Sequence, residues 1–300
     1  MLKKIRRRIR KAWWLVKYFG FNTLLSILTH KPHEPIIIKC SNDKISVTPH
    51  LLRWLLHAMD LNCVKHSVFC KNGSIYVVDK DGEVHSMSYN NAYVIDNAKF
   101  VDVYTVMIEI FFNGVYKPLT PTPIVVDVGA YIGDSAIYFA LRGARRVIAV
   151  EPHPGAFAEI LDNIKLNNME GVIVPVNAGL AGRPGKICIE NIGVEATGGT
   201  YHRPGDCPNA VPAITLDELI SRFGVDLNDA VLKMDCEGCE FDIILNDYEH
   251  VKLFKELILE YHGNVVNKTV NDLLNMLSKD YRCNVIRGNK VSGNMHCIRK

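Results

Sequence analysis

Between Asp127 and Asp134 the chain reads DVGAYIGD, an acid followed by glycines at 129 and 133 with Tyr131 between them. An apolar run from Ile124 enters this stretch and an amphipathic one leaves it, the pattern of a strand, a glycine turn and a helix N-terminus. Such a turn offers backbone N–H groups to a ligand, and its glycine spacing says which. A dinucleotide-binding turn needs a middle glycine so that backbone can approach a pyrophosphate. Tyr131 stands there instead. The acid ahead of the first glycine, Asp127, points to a ligand with a positive group, and S-adenosylmethionine carries a sulfonium and an ammonium. The next apolar run, VIAVEP, ends in Glu151, an acid placed to accept two ribose hydroxyls. Asp127, Gly129, Tyr131, Gly133 and Glu151 are therefore candidate cofactor residues. Asn177, which closes the third apolar run, is a candidate for the adenine side. Asp134 or Ser135 is the expected helix N-cap.

A second stretch with chemistry in it is VLKMDCEGCEF, followed by LILEYHG. The strand period puts Asp235 and Glu237 on one side if the strand runs that far, and the next strand ends in Glu260 and His262. At the carboxyl edge of one parallel sheet these groups would meet beside the glycine turn, where such sheets bind ligands. A sulfonium methyl is already electrophilic. An alcohol acceptor is the difficult partner, a poor nucleophile until its proton is lost or its oxygen is held in line. Two schemes fit Asp235, Glu237 and His262. In one, His262 or Glu237 takes the hydroxyl proton; in the other, Asp235 and Glu237, joined by His262, hold a divalent cation such as Mg²⁺ that binds the alkoxide. Spacing does not choose between them, and the metal-free scheme is preferred because one acid pair does not define a three-ligand site. Glu240 reads as a first-turn helix acid, and Glu260 as a partner for Lys233 or a helix terminus. His202 and Arg203, in TYHRPGD, are candidate substrate contacts. Cys236 and Cys239 form C-x-x-C, but no second pair completes a zinc site, and they read as structural thiols.

The elements that must position these residues follow from the alternation of the chain. Strand-like runs at 124–129, 145–151, 171–178, 229–235 and 256–261 are separated mostly by helical patterns at 134–142, 153–168, 215–223 and 239–248, with a further helix at 268–279. Two closing runs, 283–287 and 294–299, are joined only by a turn. The expected fold is α/β: a Rossmann-like, seven-stranded, mostly parallel sheet closed by an antiparallel hairpin strand. A hairpin is expected at 180–191, inside this domain, and a Gly/Pro-rich loop at 193–212. Ahead of it, 36–118 shows short strands with turns at Asn72-Gly73 and Asp81-Gly82, and a helix from Pro49 to Leu61. The domains expected are an arm and linker at 1–34, a small mixed region at 35–120 and the main domain at 121–300.

On these motifs the chain resembles the FkbM family of S-adenosylmethionine-dependent methyltransferases. DVGAYIGDSAIYFA, VIAVEPHP, VNAGLAG and KMDCEGCEF, ahead of LILEYHG, carry the resemblance over about residues 124–264. It implies methyl transfer to a hydroxyl, typically of a sugar or a sugar-bearing natural product, here a sugar, glycan or glycolipid. It says nothing of residues 1–120.

Charge sorts the remaining function classes. Residues 1–31 hold nine Lys or Arg and no acid, which leaves 26 bases against 32 acids in the rest of the 300-residue chain. An acidic body is not a nucleic-acid surface. The arm itself, read as a helix, lines Leu2, Ile5, Ile9, Ala12, Val16 and Phe19 on one stripe with Lys and Arg around it and Trp13 and Trp14 at its border. That suits peripheral contact of residues 1–29 with an anionic membrane; Lys17, Gly20 and Asn22 break it as a spanning segment. Nine scattered cysteines read as reduced, buried thiols of a cytoplasmic protein, at the inner membrane face if the arm binds there. Two rival functions are an RNA methyltransferase using the arm as its handle and an inactive fold that binds cofactor or a partner. Against the first stands D-C-E-G after the fourth strand; against the second stands the joint presence of Asp127, Glu151, Asp235, Glu237 and His262. Oligomeric state is not legible.

Overall fold

A computed structural model describes residues 2–189, 193–194 and 203–300. The chain divides into two compact units, Met1–Val115 and Tyr116–Lys300.

The first unit begins with helices α1 (Leu2–Phe19) and α2 (Phe21–Thr29), separated at Gly20, whose φ of 81° stops the first helix. The face of α1 that packs inward is Trp14, Leu15 and Phe19. Of the stripe expected from sequence, Phe19 is on that face, whereas Ile5, Ile9 and Val16 are exposed. The reason is that α1 has two apolar faces, and the more aromatic one reaches the core. Strands β1 (Ile36–Cys40) and β2 (Asp43–Val47) form a hairpin, and helix α3 (Pro49–Asp60) is N-capped by the Thr48 side chain, which accepts from Leu51 N–H. An antiparallel meander follows: β3 (Val64–Lys71), β4 (Ser74–Asp79), β5 (Val84–Tyr89), β6 (Tyr93–Ile95) and β7 (Ala98–Phe100). Asn72 and Gly73 take φ of 53° and 79°, the two-residue turn that sets Lys71 opposite Ser74. A short helix, α4 (Val106–Phe111), follows the meander.

The second unit is built on a seven-stranded sheet. Its strands are β8 (Ile124–Val128), β9 (Arg146–Val150), β10 (Ile173–Val176), β15 (Ala230–Met234), β16 (Glu256–His262), β17 (Tyr281–Gly288) and β18 (Ser292–Arg299), in the spatial order β10-β9-β8-β15-β16-β18-β17. The first five are parallel; β18 enters antiparallel beside β16 and carries β17 at the edge. The strands are near-continuous apolar runs because helices cover both faces of such a sheet. These helices are α5 (Asp134–Leu141), α6 (Pro154–Leu166), α7 (Leu216–Phe223), α8 (Cys239–Asn246) and α9 (Val270–Leu277). Val126, Ile148, Leu232 and Leu257 of the sheet pack with Leu219, Phe241, Ile244, Leu273 and Leu277 in one core. Truncating any of the fully buried Leu or Ile side chains costs about 2–5 kcal/mol.

The segment expected as a hairpin at 180–191 is arranged differently. Strands β11 (Gly179–Leu180) and β12 (Gly185–Cys188) do not pair with each other; β14 (Ala210–Ile214) lies between them, parallel to the first and antiparallel to the second. With β13 (Arg203–Pro204) they make a small four-stranded sheet. The longer, more apolar β14 outcompetes a two-residue strand as partner for β12.

The cysteines also depart from expectation. Disulfides join Cys40–Cys70, Cys188–Cys207, Cys236–Cys239 and Cys283–Cys297, and the buried Cys63 stands outside these four bonds as a thiol. Cys283 and Cys297 are register partners on β17 and β18, a pairing that needs the sheet to exist before it can be seen. The 30-residue separation of Cys40 and Cys70 stabilises by roughly 3–4 kcal/mol through loop-closure entropy. Thiol titration in denaturant is expected to give one reactive thiol without reductant and nine after reduction; nine without reductant returns the cysteines to the reduced state.

Candidate active site

The glycine turn leaves β8 at the point where the strand order reverses, between β8 and β15, the place where open α/β sheets bind ligands. Gly129 has φ of 73°, and a Cβ there would lie 1.8 Å from the Asp235 carbonyl oxygen, so only glycine lets the two strand ends approach. Tyr131, with φ of 50°, is a strained non-glycine residue in the same turn. Its N–H donates to Glu151 Oε2 at 2.9 Å, and its hydroxyl donates to the Val194 carbonyl. Gly133 (φ 84°) occupies the N-cap of α5, where Asp134 or Ser135 was expected. Ser135 is unavailable for capping because its hydroxyl donates to Asp127 Oδ2 at 2.7 Å.

Asp127 is fully buried, and the cation facing it is part of the protein. Lys233 Nζ lies 2.9 Å from Asp127 Oδ1 and donates to the Gly129 carbonyl at 2.8 Å. The two residues are register partners on adjacent strands. Burial works to lower the Lys233 pKa, yet the Asp127 and Asp235 charges raise it above the usual lysine value. The sequence offers Glu260 as a partner for Lys233 or a helix terminus, and Asp127 as one for a ligand cation; the sheet register gives Lys233 and Asp127 to each other. Glu260 is bonded by Asn294 Nδ2 at 3.0 Å instead. The carboxylate left over in this turn is Asp134, whose Oδ2 is buried without a hydrogen-bond partner among the described residues. Burial pushes Asp134 up to about 7.

Glu151 is buried at the end of β9, accepts from the His153 N–H as well as from Tyr131, and is pushed up to about 7 by burial. Asn177 Nδ2 donates to the Glu151 and Pro152 carbonyls, tying the ends of β9 and β10 together. A cavity of about 540 Å³ opens at these strand ends, lined by Gly129, Val150, Pro152, Ala178, Cys236 and Phe241 among others. Its size and largely apolar wall are those of a small-molecule site.

The second constellation forms in the turn after β15. The strand ends at Met234, so the two-residue period does not reach Glu237. Glu237 is brought in by a curled turn in which it takes φ of 55° and Gly238 takes 112°. Glu240, fully buried in the first turn of α8, holds this turn shut. Its carboxylate accepts from the Cys236 N–H at 2.8 Å and the Gly238 N–H at 2.9 Å, and also bonds His262 Nδ1 at 3.2 Å. His262 Nε2 then faces Glu237 at 3.7 Å, Asp235 at 3.9 Å and Glu260 at 4.0 Å. The buried Tyr116 hydroxyl donates to Asp235 Oδ2. Asp235, Glu237 and Glu260 keep 27%, 19% and 26% of their side chains exposed, so the cluster has a mouth. Burial opposes charge on His262, but the Glu240 hydrogen bond and the surrounding carboxylates overrule it and raise its pKa to about 9. Glu237 is raised to about 7, first by burial and then by the neighbouring acids. Ligand atoms of Asp235, Glu237 and His262 lie within 4.8 Å of one another, a spacing that a divalent cation could bridge.

The structure therefore brings Asp235, Glu237 and His262 together, and sets Asp127, Gly129, Tyr131, Gly133, Glu151 and Asn177 around the ends of β8 to β10. Arg203 is exposed on β13, and His202 lies outside the described residues. Three contributors were missed. Lys233 had a signal, a lone charge in the apolar run AVLKM. Glu240 was read for its place in the helix, not for its reach. Tyr116 had none, since it precedes the first strand of the sheet.

A seven-stranded sheet in this order, with an acid–glycine turn on its first strand and an acid closing the second, defines a Rossmann-like methyltransferase fold. A sequence model described as the methyltransferase FkbM domain matches residues 127–283, and the chain belongs to the FkbM methyltransferase family. A curated relative, hexuronic acid methyltransferase AglP of Haloferax volcanii, is 28% identical over 148 residues. That match spans 49% of this chain and 59% of the relative. Among solved structures, methyltransferase FkbM of Methylobacillus flagellatus is similar with a TM-score of 0.42 and 14% identity over 64% of this chain and 53% of its own. TrmK of M. capricolum, solved with S-adenosyl-homocysteine, is similar with a TM-score of 0.39 and 15% identity over 63% of this chain and 66% of its own.

Two measurements test this electrostatic arrangement. Asp127→Asn leaves Lys233 buried and uncompensated, so a loss of about 3–5 kcal/mol in urea unfolding is expected, most of it regained with Lys233→Met added. Asp134 and Glu151, with ordinary values of 3.8 and 4.5, hold protons up to about 7 in the folded protein. Between those limits the folded state binds more protons than the unfolded one, so stability falls as pH rises. Thermal melts of ligand-free protein are expected to show a shallower decline between about pH 5 and 7.5 in Asp134→Asn than in the parent; equal slopes would remove Asp134 from this account.

Proposed function

We propose that the protein transfers a methyl group from S-adenosylmethionine to a hydroxyl of a sugar or glycan. The observation that carries this reading is the convergence of Asp235, Glu237, Glu260 and His262 at the carboxyl edge of the sheet, one strand from the glycine turn. Family membership and the name of the Haloferax volcanii relative support a sugar acceptor.

The glycine turn fits the cofactor in one respect: Asp134 Oδ2 is a buried acceptor that lacks a partner among the described residues, while the neighbouring cavity is lined by Gly129 and not by Asp134, Glu151 or Asn177. In this reading Gly129, Tyr131 and Gly133 shape the turn that receives the cofactor, Glu151 takes the ribose and Asn177 borders the adenine. The cofactor supplies a methyl group on a positively charged sulfur. The protein's own residues prepare the acceptor. Glu237, raised to about 7, is a base matched to neutral pH, and it takes the hydroxyl proton as the oxygen–methyl bond forms. His262, raised to about 9, is an imidazolium at that pH, so it orients and balances the carboxylates and leaves the base role to Glu237. Asp235, held by Tyr116, is placed to accept a hydrogen bond from the sugar. Four carboxylates around one imidazole repel an acceptor carboxylate, which favours a neutral hydroxyl over the acid group of a uronic acid.

Rate should rise with pH through about 7 as Glu237 ionises and fall above about 9 as His262 loses its proton. Glu237→Gln is expected to lower kcat by roughly 10²-fold or more and remove the lower limb, with KM little changed. Activity that needs added Mg²⁺ or Mn²⁺ and vanishes with EDTA would replace this scheme with the metal-bridged one. A product whose methyl is released by mild alkali is an ester and overturns the hydroxyl assignment.

A further inference from the structure

Helix α1 keeps a second apolar face away from the core of its unit. Ile5, Ile9, Trp13 and Val16 are exposed by 44%, 64%, 56% and 39%. At about 100° per residue they fall within roughly 80° of arc, on the opposite side from the buried Trp14. The margins of this stripe are basic: Arg6 and Lys17 on one side, Arg8 on the other, all exposed. Lys17 Nζ sits 4.9 Å from the Trp13 ring centroid. Helix α2 adds Phe21, Leu25 and Leu28, also exposed, at i, i+4 and i+7. No acid occurs between residues 2 and 31. Arg7 and Arg10 are held by the buried Asp60 carboxylate, which fixes the helix against α3 and leaves the stripe facing out.

We propose that this face is a docking surface for an anionic lipid bilayer, on which the α1–α2 pair lies parallel to the membrane plane. A row of isoleucine and tryptophan bordered by arginine and lysine matches the acyl–headgroup boundary, with the apolar stripe inserted and the cations on lipid phosphates. Neither helix is long and apolar enough to cross a membrane, so the contact is peripheral. The apolar stripe distinguishes a bilayer from a nucleic acid, whose phosphates would engage the cations and leave Ile9 and Trp13 in water.

The test is co-sedimentation of the full chain with vesicles of pure phosphatidylcholine and with vesicles containing phosphatidylglycerol. Binding to the anionic vesicles alone is expected, weakening as salt rises, with a blue shift of tryptophan emission that Trp13→Phe diminishes. Ile9→Asp with Trp13→Ser should abolish binding while the thermal melt is unchanged, since both side chains are exposed. Arg6→Gln and Arg8→Gln should each weaken binding roughly five-fold. No sedimentation with anionic vesicles overturns the proposal. So does binding that survives Ile9→Asp with Trp13→Ser, or preferential capture of a single-stranded RNA oligonucleotide that is indifferent to that pair.

Discussion

The buried ion pair between Asp127 and Lys233 joins the two strands between which the sheet reverses its order. Everything at the site is measured from that seam. The Lys233 ammonium also bonds the Gly129 carbonyl, and the Asp127 carboxylate also holds Ser135 at the start of α5, so one pair of charges fixes strand, turn and helix together. Burying two charges is costly, and the arrangement offsets it by their direct pairing at 2.9 Å together with the Ser135 bond to Asp127 Oδ2 and the Lys233 bond to the Gly129 carbonyl. Gly129 completes the seam, since a side chain there would collide with the Asp235 carbonyl.

The acid cluster depends on a second device. Glu237 and Gly238 sit at left-handed backbone angles, a cost for glutamate in particular. The Glu240 carboxylate offsets it by bonding two N–H groups of the turn and the His262 ring at once. His262 is raised against its burial by the Glu240 bond and the carboxylates around it, whereas Glu237 is raised first by burial and then by the neighbouring acids. A site poised this way is strained by design, and the Cys236–Cys239 disulfide closes the same turn.

Much of the fold was legible because its signals are local. Strand runs and helices of the second unit fall within two or three residues of their expected positions, since continuous apolar runs and amphipathic periods need no knowledge of partners. The hairpin turn at Asn72-Gly73 is equally local. The segment at 180–191 pairs otherwise than its local pattern suggests because strand pairing depends on a third strand about thirty residues away, and three of the four cysteine pairs join residues 14 or more apart in sequence, whereas the local Cys236–Cys239 spacing fits thiols and disulfide alike. The arm shows the same limit: the amphipathic helix was evident, but not which of its two apolar faces would be buried.

The sequence by itself determined the class of the protein, through an acid–glycine turn, an acid closing the next strand and the D-x-E-G-x-E run from Asp235 to Glu240, each a short motif whose chemistry is carried within a few residues. Tertiary structure alone decided which charges neutralise which. Lys233 belongs to Asp127 by sheet register, Tyr116 reaches Asp235 from 119 residues away, and Glu240 reaches His262 across two elements. The reason is physical: electrostatic partners are selected by distance and burial, and neither exists until the chain has folded.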